Sequence, residues 1–238
     1  TYPSCKIDCA QELERMIKRE GADTIGAFVT EPIQGVGGVI VPPKEWLPKI
    51  REICSRHNIL MVCDEVITGF GRTGAMFASA GAGVTPDILV SAKGVTSGYL
   101  PLGLMLFKED IFQTFLDTGD DYAFWHGYTY TGHPTVCAAG LANIEIIERE
   151  GLVENCRIQG ERLWDRLQEV KDKHPIVGDV RGIGLLQGLE LVKDRNTKEH
   201  WPASAAIGEK ITQGLMDRGV WIRVGSYIVP LAPPLTIT

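Results

Sequence analysis

The chain reads as an α/β protein, a mostly parallel sheet with helices on both faces joined to a smaller α+β unit at its end. Short apolar runs that do not alternate with polar residues, at 59–66 (ILMVCDEV) and 87–92 (DILVSA), are what strands covered on both sides look like. Between such runs lie segments whose apolar residues recur at helical spacing. Strand and helix therefore take turns along the first part of the chain, as parallel crossovers require.

Asp8 caps a first helix with Leu13, Met16 and Ile17 on one stripe, and Gly21 ends it. Residues 24–30 (TIGAFVT) then form a buried strand. Pro43 opens a second helix carrying Leu47, Ile50, Ile53 and Cys54 on one side, closed by Asn58. The runs at 59–66 and 87–92 are the next strands, followed by 103–107 (GLMLF). Beyond Pro134 come two helices, 134–150 and 152–173, punctuated by Gly151. The last third holds a strand-like 184–192, a helix near 205–216 and an extended 221–224.

Composition sets outer limits. With 238 residues, 44% hydrophobic and 23% charged, the chain has the balance of a globular protein and not of a disordered or coiled-coil one. Lys and Arg number 24 against 30 Asp and Glu, a net charge of −6, which argues against nucleic acid or an anionic membrane as partner. No apolar run is long enough to span a bilayer. Six cysteines make no disulfide framework here; Cys54, Cys63 and Cys137 sit in apolar stretches and read as buried thiols of a reducing, cytoplasmic compartment. The chain starts at Thr1 without a signal-peptide pattern and stops on an unclosed β-like phrase at 233–238, so it reads as a piece of something longer.

Two strand ends carry chemistry. Asp64 closes the apolar run 59–63, and ligands in open α/β sheets sit beyond the carboxyl ends of strands. A lone aspartate there is equally a helix cap or an ion-pair partner. Glu65 follows and should point the other way. Lys93 comes directly after the next apolar strand; an amine kept out of water is held neutral and becomes a nucleophile, whereas a snorkelling lysine is the plain alternative. Taken together, a lysine and a carboxylate at neighbouring strand ends suit an imine with pyridoxal phosphate and a partner for its pyridinium nitrogen. The glycine-rich 68–74 (TGFGRTG) lacks the spacing of a P-loop or a dinucleotide fingerprint, and a turn with positive φ explains it better. His126 and His133 have no Cys or carboxylate at metal-ligand spacing and read as structural hydrogen-bonding residues; Cys5 and Cys9 lack a second ligand pair. No metal site is expected.

Glu31-Pro32-Ile33-Gln34-Gly35, then Asp64-Glu65-Val66 running into Gly69-Phe70-Gly71-Arg72-Thr73-Gly74, resembles the class III pyridoxal-phosphate-dependent aminotransferases. Lys93-Gly94, Ser97-Gly98-Tyr99-Leu100-Pro101-Leu102-Gly103 and His126-Gly127-Tyr128-Thr129-Tyr130-Thr131-Gly132-His133-Pro134 fit in the same order. The phrasing is most similar to the ω-amino acid:pyruvate branch, which includes β-alanine, taurine and amine transaminases. The resemblance implies the fold type I architecture, with 1–150 as part of the cofactor-binding large domain and 151–238 as an incomplete small domain. It implies Lys93 as the lysine that holds the cofactor, Asp64 facing the pyridine nitrogen and Val66 packed on one ring face. Thr129 matches a threonine that reaches the cofactor phosphate of the neighbouring subunit of a homodimer or dimer of dimers. Arg223 matches a mobile arginine that grips the substrate carboxylate, and Glu31 a glutamate near the substrate side. Where some relatives have glutamine two residues after Glu65, this chain has Ile67, which favours the pyruvate-using branch. The partners so implied are a small amine donor and a 2-oxo acid acceptor. A 2,1-aminomutase or a decarboxylase shares the fold. The family's phosphate-binding Gly-Ser loop and ring-stacking aromatic do not occur before Glu31, so poor or no catalysis is expected of these 238 residues alone.

Overall fold

A computed structural model describes residues 2–119 and 123–238. The chain divides into two compact units. One comprises residues 1–32, 42–70 and 77–150, and the other comprises 33–41, 71–76 and 151–238.

The first unit is built on a four-stranded sheet in the order β1 (Ala27–Thr30), β2 (Leu60–Asp64), β3 (Ile88–Ser91) and β4 (Leu104–Phe107). The first three strands are parallel and β4 is antiparallel, so the sheet is mixed and mostly parallel, as the sequence predicts. Helices α1 (Asp8–Glu20) and α2 (Trp46–Arg56) cover one face. Their apolar stripes, Ala10, Leu13 and Ile17 on one and Leu47, Ile50, Ile53 and Cys54 on the other, close over Met61 and Cys63 of β2. Each fully buried isoleucine of this set contributes about 2–3 kcal/mol. Gly21, at φ +88°, ends α1 by turning its N–H back to the Ile17 carbonyl at 2.9 Å.

Burial of the strands departs from the sequence expectation. β1 and β2 alternate between the two faces; Val29 remains 65% exposed and Leu60 is exposed as well. Continuous apolar sequence therefore does not mean continuous burial in this chain. The short α3 (Ala78–Gly81), α4 (Glu109–Asp117) and α5 (Pro134–Arg149) complete the first unit. Pro134 opens α5, where its missing N–H costs nothing.

The second unit pairs α6 (Leu152–Lys173) and α7 (Ile207–Met216) with an antiparallel sheet of β5 (Val177–Ile183), β6 (Leu186–Leu191) and β7 (Ile228–Leu231). Leu163, Leu167 and Val170 of α6 meet Val177, Val180, Leu191 and Val229 in its core. α6 approaches the β5–β6 turn closely: a Cβ on Gly160 would stand 2.5 Å from the backbone of Gly184. Arg181 is ion-paired to Glu190, and burial that would raise the Glu190 carboxyl is outweighed by Arg181 and His200, which hold it below its ordinary range. The segment 221–224 is not a strand; Ile222 and Val224 pack on this core as irregular chain.

Cys54, Cys63 and Cys156 are buried, and burial drives their thiols up, that of Cys63 to about 12. None of these is poised as a nucleophile at neutral pH. Cys137 is half-exposed, contrary to expectation, because it lies near the start of α5 outside either core. Among the described residues no helix is long and apolar enough to cross a membrane.

Candidate active site at the strand mouths

β2 and β3 run parallel with Asp64 in register with Val90, so their carboxyl ends open on the same edge of the sheet. Asp64 is the last residue of β2 and is half-buried. Its Oδ1 accepts the N–H of Val66 at 3.0 Å, which turns the chain sharply after the strand, while Oδ2 takes no hydrogen bond among the described residues. Lys93 begins a single 3-10 turn, Lys93–Val95, two residues beyond the end of β3. Glu31 follows β1, the neighbour of β2, and lies half-buried at the same edge. Asp64, Val66, Lys93 and Glu31 thus end or follow adjacent strands at one edge of the sheet. An open depression of about 620 Å³ lies against Lys93, Thr96, Tyr99 and the 100–103 segment.

One expectation fails here. Lys93 is exposed, and its amine has neither an ion pair nor a side-chain hydrogen bond among the described residues. The strand ends at Ser91, and the left-handed backbone of Lys93, φ +44°, carries the residue out to the mouth.

Thr129 is not brought to the strand mouths as a buried contact. It sits in an exposed turn closed by Thr131, whose Oγ1 accepts the Tyr128 N–H at 2.8 Å. Arg223 belongs to the second unit, exposed in the irregular segment before β7. His126 and His133 make no side-chain hydrogen bonds among the described residues; their rings lie near Phe124, Tyr128 and Tyr130.

Glu65 is what sequence reasoning left without a role. It points away from the mouth and is fully buried. Its carboxyl accepts the Thr68 hydroxyl at 2.5 Å and the N–H groups of Ala78 and Ser79 at 2.9 and 2.7 Å, so it ties the start of α3 beneath the strand end. Its carbonyl accepts the Ser91 hydroxyl at 2.9 Å, linking the mouth of β2 to that of β3. Two adjacent acidic residues closing an apolar strand were the available signal. The turn that follows does use positive φ, at Phe70, Gly71 and Gly74.

An amine that can form an imine and a carboxylate with an oxygen unbonded among the described residues, on adjacent strand ends, fit two of the groups that pyridoxal phosphate takes from a protein, one for the imine and one for the pyridine nitrogen. Comparison with known proteins agrees. Residues 3–238 match the family model "Aminotransferase class-III". The chain is 42% identical over 236 residues to an adenosylmethionine-8-amino-7-oxononanoate aminotransferase of Nitratidesulfovibrio vulgaris, covering 99% of this chain and 43% of that protein. A taurine–pyruvate aminotransferase of Bilophila wadsworthia is also 42% identical, with 93% of this chain and 51% of that protein covered. Among solved structures, a PLP-bound amine transaminase from an uncultivated Pseudomonas species superposes with a TM-score of 0.94 at 45% identity, over 97% of this chain and 52% of that one. The chain spans about half the length of the relatives it matches. Pyridoxal phosphate is the cofactor of this family. Given the match along nearly its whole length and the lysine and aspartate at paired strand mouths, the chain belongs to the class III aminotransferases.

Proposed function

We propose that the protein is a transaminase that moves an amino group from an ω-amino acid or amine to pyruvate or a similar 2-oxo acid. The observation that carries this reading is the pair of groups without a side-chain partner among the described residues, the Lys93 amine and Asp64 Oδ2, at the carboxyl ends of adjacent parallel strands. The likeness to a taurine–pyruvate aminotransferase and an amine transaminase, together with Ile67, supports pyruvate as acceptor.

Pyridoxal phosphate, when bound, supplies an electron sink for the carbanion formed at the substrate carbon. Lys93 would hold the cofactor through its Nζ, and the same amine would carry the proton at the substrate carbon. Asp64 keeps the pyridine nitrogen protonated through its free oxygen, and the Val66 N–H on Oδ1 fixes the carboxylate for that task. Val66 packs against the ring. Thr129 serves the phosphate of a neighbouring subunit in a homodimer or dimer of dimers, and Glu31 borders the substrate. Arg223 offers a planar two-donor fork to a substrate carboxylate. The two-domain assignment, 1–150 and 151–238, and a cytoplasmic location belong to the same reading, as does the inactivity of these 238 residues alone.

The test is the acceptor requirement of the full-length protein with pyridoxal phosphate and an amine donor. Alanine should form in step with donor loss when pyruvate is present, and turnover should stop without an oxo acid. Donor consumption independent of any oxo acid would instead indicate an aminomutase or a decarboxylase.

A further inference from the structure

The turn that presents Lys93 is held in a backbone state that non-glycine residues seldom take. Lys93 has φ +44° and Ser97 φ +50°, both left-handed. Such conformations persist only where neighbouring groups over-determine them. One side chain of α5 does this. Asn143 Nδ2 donates to the carbonyl oxygens of Gly94 at 2.8 Å and Val95 at 3.0 Å, and its Oδ1 accepts the Ser97 hydroxyl at 2.7 Å. Both amide protons and the amide oxygen are thereby engaged on the segment directly after Lys93. Gly140, one turn earlier, lets the helix come this close: a Cβ there would stand 3.0 Å from Leu102 Cδ2 and 3.6 Å from Val95 Cγ2. On the other side of Lys93, Ser91 is anchored through its hydroxyl to the Glu65 carbonyl. Lys93 hangs between two fixed points.

We infer that Asn143 is a positioning residue for the reaction: it holds the 94–97 turn so that the left-handed backbone aims the Lys93 amine at the cofactor. The inference rests on the reading of Lys93 given above. Four rotatable bonds separate the Lys93 backbone from its Nζ, so the direction of Cα–Cβ decides where the amine can be found. Releasing the turn lets φ relax to negative values and redirects that bond. A misplacement of about 1 Å in a reacting group costs on the order of 100-fold in rate.

The experiment compares the full-length protein with its Asn143→Ala and Ser97→Ala variants. Apo-protein is mixed with pyridoxal phosphate, and the borohydride-reduced lysine is followed by peptide mass spectrometry over time; kcat, KM for the donor and the thermal midpoint are measured alongside. Asn143→Ala should slow capture at Lys93 and lower kcat by about tenfold or more, with KM changed by less than about threefold. Ser97→Ala removes one exposed hydroxyl and its bond to Asn143 Oδ1, so it should leave the thermal midpoint in place while slowing capture by about twofold to fivefold. Capture and kcat at the unaltered level in folded Asn143→Ala would overturn the inference. If that variant does not fold, unaltered capture in Ser97→Ala overturns it instead. Reduction at a lysine other than Lys93 in the unaltered protein would overturn the reading of Lys93 and this inference with it, whereas reduction at Lys93 with unaffected variants overturns the inference alone.

Discussion

Asp64 and Glu65 are neighbours in sequence with opposite tasks. Asp64 keeps one oxygen free at the strand mouth, while Glu65 spends its carboxyl on Thr68, Ala78 and Ser79 beneath it. Backbone alternation at a strand end separates them, leaving one carboxylate at the strand mouth and sending the other toward the core. If Asp64 keeps the cofactor nitrogen protonated, Asp64→Ala should lower kcat by about 100-fold while donor KM moves by less than about threefold. Steady-state kinetics with a saturating acceptor decide this, and a change confined to KM would contradict the role. Arg223→Lys tests the role proposed for that residue with a substrate carboxylate. A lysine cannot present two parallel donors, so kcat/KM for donors bearing a carboxylate should fall about tenfold while simple amines stay within about twofold. Equal losses on both substrate classes would refute the assignment.

Among the elements, Asp87 ties α2, β2 and the residue between β4 and α4 together just before β3. Its carboxylate receives Arg51 Nη1 at 2.6 Å, the Met61 N–H at 2.7 Å and Lys108 Nζ at 2.6 Å. Burial alone would raise this carboxyl, but Lys108, the Met61 N–H and Arg51 together hold it below 3.8. A carboxylate whose folded pKa is depressed adds stability that is complete above its unfolded value and disappears as pH falls through the folded one. Unfolding free energy should therefore drop as pH goes below about 3.8, and Asp87→Asn should flatten that acid limb in denaturation series run at stepped pH. An unchanged acid limb would place the acid sensitivity elsewhere.

The same scale shows what the sequence reveals and what it conceals. Apolar periodicity placed α1 and α2, Pro134 and Gly151 marked α5 and α6, and α6 runs from Leu152 to Lys173 as read. β5 (VGDVRGI) is hidden by two glycines and two charges, and Pro230 disguises β7, where an edge strand tolerates it. α3 is a single turn fixed by Glu65 from outside, so no local pattern announces it. The placement of Asp64 and Lys93 at neighbouring strand ends was legible because both follow apolar runs. The exposure of Lys93 was not, since it depends on the left-handed turn and on what covers the strand mouth. Asn143 was equally silent, because its three bonds reach 46 to 49 residues back along the chain.

For the molecule as a whole, the first unit shows Trp125 at 94% exposure, with Tyr99, Tyr128, Tyr130 and Leu141 also open to solvent. Large apolar side chains left open to solvent favour association. Prepared by itself, the 238-residue chain should bind a hydrophobic-surface dye and sediment as assemblies larger than a monomer; a monodisperse monomer without dye binding would contradict this. The account as a whole turns on which amine carries the cofactor. Borohydride reduction of the full-length protein with pyridoxal phosphate, followed by peptide mapping, should find the phosphopyridoxyl group on Lys93. Finding it on any other lysine, or on none, would contradict the account.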